Sequence, residues 1–252
     1  MPHAPLGYER CCVAPRRRPS PDLWIFAGIV LLLNLHLVGF GSPAPFIFHL
    51  SEAAKGQWWR LVTHPFAHLT FYHLALDAGA FFLLYAGLSE TRIGRRLAFV
   101  GIGGLSSLTA ALVLAPGFDR LGLCGLSGIA HGLMAVSGLE MICEGKHRTA
   151  GWFSFGLVAA KSAWETAYGQ VLFEFMHMGL CGTPLAACHL GGVLGALALF
   201  LAFRMADRQK AHRPDPGLRK TLPDSTAPCA RGQNVTTIYA ISDGLNAPSR
   251  FA

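Results

Sequence analysis

Six long apolar stretches constrain this chain more than any other feature of its sequence. They lie near residues 23–40, 70–88, 97–115, 126–142, 151–168 and 185–203. A helix that crosses a bilayer needs about 20 mostly apolar residues, and one soluble domain does not bury so many such runs. With 52% hydrophobic and only 14% charged residues, the chain is predicted to be an all-α membrane protein with six transmembrane helices.

Basic residues alternate between the two sides of this predicted bundle. On one side, the connections between helices hold only Lys55, Arg60 and Arg120. The richer side carries Arg10, Arg16, Arg17, Arg18, Arg92, Arg95, Arg96, Lys146, Arg148, Arg204, Arg208 and Lys210. Lys and Arg accumulate in cytoplasmic connections, so both termini are predicted to be cytoplasmic. The net charge of +7 is then explained by orientation and anionic lipid, and we expect no nucleic-acid partner.

Polar segments at both ends divide the chain into three parts. Residues 1–22 are predicted to be a basic cytoplasmic leader, residues 23–203 the six-helix core, and residues 204–252 a polar, disordered cytoplasmic tail. The alternative for the first apolar run is a cleaved signal peptide, because it follows a basic segment. The length of the polar leader and the alternating charge pattern favour a retained helix.

A serine and a histidine lie at the outer ends of two of the predicted helices. Ser127 opens the fourth helix in the motif Gly125-Leu126-Ser127-Gly128, and His189 lies near the start of the sixth. A serine hydroxyl becomes a good nucleophile when a neighbouring base accepts its proton, and imidazole suits that role near neutral pH. The common depth of the two residues therefore predicts a catalytic pair.

Small residues around this pair predict a close approach of the two helices. Gly128 and Gly132 share one face of the fourth helix, and His189, Gly192 and Ala196 share one face of the sixth. Without bulky side chains the two backbones can come within hydrogen-bonding reach of each other's polar groups. The alternative is that the glycines serve ordinary transmembrane packing and that His189 is a structural interhelical histidine.

A second polar group lies at the start of the second helix, after Trp59-Arg60, and consists of His64, His68, His73 and Asp77. Polar side chains that enter a membrane are costly and are usually functional. His73 and Asp77 are four residues apart and share a helical face. An imidazole N–H and the backbone N–H of Ser127 together suit the oxyanion of a tetrahedral intermediate.

A metal site is the alternative for two members of this group, because His64 and His68 are also four residues apart. The segment has no HExxH motif and no cluster of carboxylates typical of catalytic zinc. We therefore expect no metal here, and hydrolysis by a serine and a histidine requires no organic cofactor.

Taken together, these motifs resemble the core of the rhomboid intramembrane serine proteases, over about residues 23–203. The resemblance is carried by Trp59-Arg60, His64, His68, His73, Gly125-Leu126-Ser127-Gly128, His189 and Gly192. It implies that Ser127 is the nucleophile and His189 the general base, in a dyad without an acidic third member. It also implies an oxyanion-hole role for His73 and an interfacial first loop containing Trp59 and Arg60.

Within this family the chain is most similar to the rhombosortases. The matching residues are Cys124-Gly125-Leu126-Ser127-Gly128, His131, Lys161, Trp164-Glu165 and His189-Leu190. This similarity implies transmembrane protein substrates with a Gly-rich motif, one hydrophobic helix and a basic end. The cut would fall on the outer side of a bacterial-type cytoplasmic membrane that the enzyme crosses several times.

Two other functions remain as alternatives. An inactive rhomboid-fold scaffold would bind transmembrane clients, but such a scaffold has no need of both Ser127 and His189. A transporter is disfavoured because the chain has no repeated halves or paired half-helices.

Two single residues and one residue pair keep two interpretations each. Asp77, where many rhomboids carry Asn, is either a neutral donor to the oxyanion or an ionised partner of His73. His131, where many rhomboids carry Tyr, either stacks on the catalytic histidine or only packs. Lys161 and Glu165, four residues apart in the fifth helix, form a structural ion pair or grip the polar motif of the substrate.

Overall fold

The computed structural model describes residues 20–115, 117–145, 147–172 and 185–211. The α-helices in these ranges are α1 (Pro21–Leu33), α2 (Leu50–Ala54), α3 (Arg60–Thr63), α4 (Phe71–Gly87), α5 (Ile93–Leu114), α6 (Phe118–Leu121), α7 (Ser127–Glu144), α8 (Arg148–Tyr168) and α9 (Ala187–Ala211). A single bridge between Phe48 and Leu123 is the only β-pairing in these ranges. The predicted all-α class is therefore confirmed for the described residues. The leader up to residue 19 and the tail from residue 212 lie outside them.

Each predicted apolar stretch overlaps one of the six longer helices, although fewer of these qualify as membrane spans. Helices α5 and α9 are long and apolar enough to cross a membrane by themselves. The segment Arg60–Phe66 and helix α4, bent by 96° at their junction, count as a third span if they are taken as one. Helix α1 has only 13 residues, and α8 carries polar Lys161, Ser162 and Glu165. Six spans and cytoplasmic termini stay predictions.

Helix α1 ends earlier than the first apolar stretch because of Asn34. The Asn34 amide donates to the carbonyl groups of Val30 and Phe66, at 2.7 Å each. Its Oδ1 atom accepts the backbone N–H of His68 at 2.8 Å. These bonds tie the end of α1 to the segment before α4, and the chain continues as a 3₁₀ helix over Leu35–Val38.

The core of the described chain surrounds helix α7. Buried side chains of α1, α4, α5 and α9 pack with those of α7, and they include Phe26, Phe81, Tyr85, Phe99, Leu133, Val136 and Phe200. Helices α7 and α8 contact each other through their backbones at Gly138 and Gly151, which have no side chains to keep the helices apart. A Cβ atom at Gly138 would lie 3.0 Å from the carbonyl oxygen of Gly151. This close packing fixes the direction in which α7 and α8 present their polar residues.

Charged side chains hold together the end of the bundle opposite to Ser127. The Glu140 carboxylate on α7 accepts the backbone N–H groups of Ser89 and Glu90, at 2.8 and 3.0 Å. Arg95 on α5 donates to Asp207 on α9 at 2.7 Å. Glu140 therefore anchors the connection between α4 and α5.

Candidate active site

Ser127 is the first residue of α7, and the backbone before it has a shape that glycine adopts easily. Gly125 has a φ angle of 102°, and its N–H donates to the carbonyl group of His64 at 3.0 Å. A Cβ atom at Gly125 would lie 2.7 Å from Oδ2 of Asp77 and 2.8 Å from Nε2 of His73. Gly125 therefore turns the chain and also leaves room for two polar side chains beside Ser127.

His189 lies in the first turn of α9, and its Nε2 atom is 3.2 Å from Oγ of Ser127. The imidazole is buried, with 6% of the residue exposed. Glycine allows this approach, because a Cβ atom at Gly192 would collide with the carbonyl group of Gly128. A Cβ atom at Gly132 would lie 2.7 Å from the carbonyl oxygen of Gly192. These glycines thus allow the close approach of α7 and α9 that the spacing of small residues on the two helices predicted.

Two hydrogen-bond donors beside Ser127 converge on one oxygen atom of Asp77. The Ser127 backbone N–H donates to Oδ2 at 3.1 Å, and Nε2 of His73 lies 3.2 Å from the same atom. The backbone N–H of Leu69 donates to Nδ1 of His73, so the His73 ring carries its hydrogen on Nε2. Asp77 accepts a hydrogen bond in both contacts. The interpretation of Asp77 as a neutral hydrogen-bond donor gave it the opposite role.

His131 lies one turn after Ser127, and its ring stacks on the ring of His189. The two centroids are 3.9 Å apart and the planes differ by 10°. Nδ1 of His131 lies 2.7 Å from the carbonyl oxygen of Ser127, to which it donates. The geometry agrees with the stacking interpretation of this residue rather than with packing alone.

The pair Lys161 and Glu165 on α8 contacts the histidines of the site. The Lys161 ammonium group is 2.6 Å from Oε1 of Glu165 and 2.9 Å from Nε2 of His131. The other carboxylate oxygen of Glu165 lies 2.7 Å from Nδ1 of His189. The expected ion pair is present, and its acidic member, Glu165, also contacts His189.

Trp59 and Arg60 hold the loop that precedes α2 through hydrogen bonds to its carbonyl groups. The Arg60 guanidinium donates to the carbonyl groups of Ala44 and Ile47. Nε1 of Trp59 donates to the carbonyl group of Pro45 at 3.0 Å. His64 lies one turn after Arg60, and its carbonyl group accepts the backbone N–H of Gly125. The segment that contains Trp59 and Arg60 therefore supports the turn before Ser127.

The described residues contain one group with the spacing of metal ligands, and it is not the pair His64 and His68. Ligand atoms of His131, Glu165 and His189 all lie within 4.8 Å of one another. The ammonium group of Lys161 already contacts His131 and Glu165. A cation at this position would meet a fixed positive charge, so these residues do not suit a metal ion.

Sequence reasoning missed the thiol of Cys188, which lies 3.9 Å from Oγ of Ser127. The position of Cys188 directly before His189 was the sequence signal that could have identified it.

A second thiol, Cys124, lies in the connection before α7. Burial, then the negative charge of Asp77, raises the pKa of the Cys124 thiol to about 12. Cys124 is therefore protonated at neutral pH and is a poor nucleophile.

Comparison with known proteins adds a family assignment to this geometry. The family model described as the Rhomboid domain matches residues 55–206, which is more than half of the chain. A search of the curated proteins found no matching sequence. The matched range contains all the polar residues described around Ser127 and His189.

Proposed function

The chain belongs to the rhomboid family, whose members are generally serine intramembrane proteases, and we propose that it is an active member. The observation that carries this proposal is the 3.2 Å contact between Oγ of Ser127 and Nε2 of His189. An inactive scaffold has no use for such a contact between a hydroxyl and a base.

In the proposed reaction, Ser127 attacks the carbonyl carbon of a peptide bond while its proton passes to Nε2 of His189. The imidazolium then gives this proton to the leaving amine, and the substrate remains as an ester on Ser127. A water molecule activated by the same imidazole releases the acyl group and restores the serine. No step needs a metal or an organic cofactor.

The oxyanion of this reaction would bind where Oδ2 of Asp77 now lies. The two donors at that point, the Ser127 N–H and Nε2–H of His73, are those that an oxyanion needs. In the resting protein the carboxylate therefore occupies the oxyanion hole, and the substrate oxygen must displace it. This displacement gives Asp77 a role that neither earlier interpretation contained.

We expect Asp77→Asn to raise kcat/KM by about tenfold, because a neutral amide oxygen holds these donors less strongly than a carboxylate does. The measurement is the rate of reporter cleavage in membranes, with Asp207→Asn at the far end of the bundle as the matched control. Loss of activity in Asp77→Asn would instead show that a negative charge is needed to orient His73.

The proposed substrates are membrane-anchored proteins with a C-terminal tail made of a Gly-rich motif, one hydrophobic helix and a basic end. Similarity to the rhombosortases supports this class. Ser127 is the first residue of α7, and the residues on both sides of it are buried. A Gly-rich segment of the substrate suits such a confined position, because glycine has no side chain. The site lies at the end of α7 opposite to the Arg-rich connections, which supports cleavage on the outer side of a bacterial-type cytoplasmic membrane.

Cleavage of a reporter that carries such a tail tests this function. Membranes containing the wild type are expected to cut it, whereas membranes containing Ser127→Ala are not. A matched reporter with leucines in place of the Gly-rich motif is expected to stay intact. Mass spectrometry of the new C-terminus separates hydrolysis, which leaves a carboxylate, from transfer to an amine. Binding of both reporters without cleavage by the wild type would favour a scaffold for transmembrane clients.

A further inference from the structure

The side chain of Glu165 is completely buried, with 0% of the residue exposed. An isolated carboxylate in such a place is costly, so its partners indicate what it does. One oxygen, Oε1, accepts from the Lys161 ammonium at 2.6 Å and from the backbone N–H of Leu172 at 2.8 Å. The other oxygen, Oε2, lies 2.7 Å from Nδ1 of His189.

These contacts determine the orientation of the carboxylate. Lys161 lies one turn earlier on α8, and Leu172 lies beyond the end of that helix. Glu165 cannot rotate without losing its bonds to both. Oε2 is therefore held toward His189 by groups outside the catalytic pair.

The same contact determines the tautomer of His189. An ionised carboxylate only accepts hydrogen bonds, so Nδ1 of His189 must carry the hydrogen. The lone pair on Nε2 then faces Oγ of Ser127 across 3.2 Å. This is the form of imidazole that accepts a proton from serine.

We infer that Glu165 is the acidic third member of the catalytic group, a positioning residue that acts through His189. This inference rests on the proposed function. Glu165 stays ionised throughout: the serine proton moves to Nε2, and the carboxylate stabilises the positive imidazolium without taking its other proton. Sequence alone offered only an ion pair or a grip on the substrate for this residue.

Lys161 completes the arrangement through its two contacts. It balances the charge of Glu165, and its ammonium group donates to Nε2 of His131. Since Nδ1 of His131 donates to the Ser127 carbonyl group, His131 is held as the neutral ring. The ring stacked on His189 therefore adds no second positive charge when His189 becomes protonated.

The first test is the rate at which a fluorophosphonate probe labels Ser127 in the full-length protein. Glu165→Gln is expected to lower this rate by about 10²- to 10⁴-fold, because an amide can hold the histidine in the wrong tautomer. For the reporter, kcat is expected to fall with little change in KM. Glu165→Asp restores the charge with a shorter reach and is expected to recover part of the rate.

The matched control is Glu140→Gln, which neutralises another buried carboxylate that accepts two backbone N–H groups at the far end of α7. It is expected to label at the rate of the wild type. Wild-type labelling in Glu165→Gln would overturn the inference. Equal losses in Glu165→Gln and Glu140→Gln, each with a lower melting temperature, would also overturn it, because they would indicate a structural role.

A second readout needs no activity. In ¹⁵N-histidine-labelled Ser127→Ala protein, the NMR signals of His189 are expected to show hydrogen on Nδ1, and Glu165→Gln is expected to change this tautomer. If the wild type does not label but the tautomer changes, the protease proposal fails and the positioning role stands. If the wild type labels and neither rate nor tautomer responds to Glu165→Gln, the positioning role fails and the protease proposal stands.

Discussion

Ser127→Ala and His189→Ala are each expected to slow reporter cleavage by about 10⁴-fold or more, because the two residues act as one unit in the proposed attack on the peptide bond. Oγ of Ser127 has an imidazole base 3.2 Å away, and neither group is effective without the other. The measurement is single-turnover cleavage in membranes at matched expression.

The double variant makes this prediction more specific. Because each single change already removes the unit, Ser127→Ala combined with His189→Ala is expected to be no slower than either alone. His147→Ala, an exposed histidine at the start of α8, is the matched control and is expected to cleave normally. Losses that multiply in the double variant would indicate that the two residues act independently, against the proposed mechanism.

Gly192→Ala is expected to lower activity by more than about 100-fold, although it adds only one methyl group to the protein. That methyl group would collide with the backbone of Gly128. Backbone atoms cannot rotate away as a side chain does, so α7 and α9 must separate. Oγ of Ser127 and Nε2 of His189 then move out of hydrogen-bonding reach. The measurement is probe labelling of Ser127 together with the melting temperature.

Gly156→Ala on α8 is the matched control, because a Cβ atom there has no neighbour within 4 Å. Alanine is a better helix former than glycine, so this variant is expected to keep its activity and to melt no lower than the wild type. Wild-type labelling in Gly192→Ala would show that the close approach of α7 and α9 is not needed for the catalytic pair.

The sequence predicted the features of this protein that depend on local pattern. Apolar stretches located the longer helices, and the spacing of small residues predicted that the faces of α7 and α9 around Gly128 and Gly192 would meet. The pairing of Ser127 with His189 followed from their common depth. Each of these features is set by residues within one helix or by two helices whose first turns lie next to each other.

The contacts of Asp77 and Glu165 depend on more than local pattern. The oxygen of Asp77 reaches the Ser127 N–H only because the turn at Gly125 leaves space for it. Glu165 reaches His189 only because of how far α8 is rotated about its own axis. That rotation is set by glycine contacts with α7, which hydropathy does not reveal. The early end of α1 at Asn34 likewise depends on partners more than 30 residues away.

The most direct test of the central claim is reaction of the wild-type protein, in its native membrane, with a serine-directed fluorophosphonate probe. Peptide mass spectrometry then identifies the modified residue. We predict one adduct, on Ser127, that disappears in His189→Ala although the serine is still present. No adduct on Ser127, or an equal adduct in His189→Ala, would contradict the proposal that His189 activates this serine.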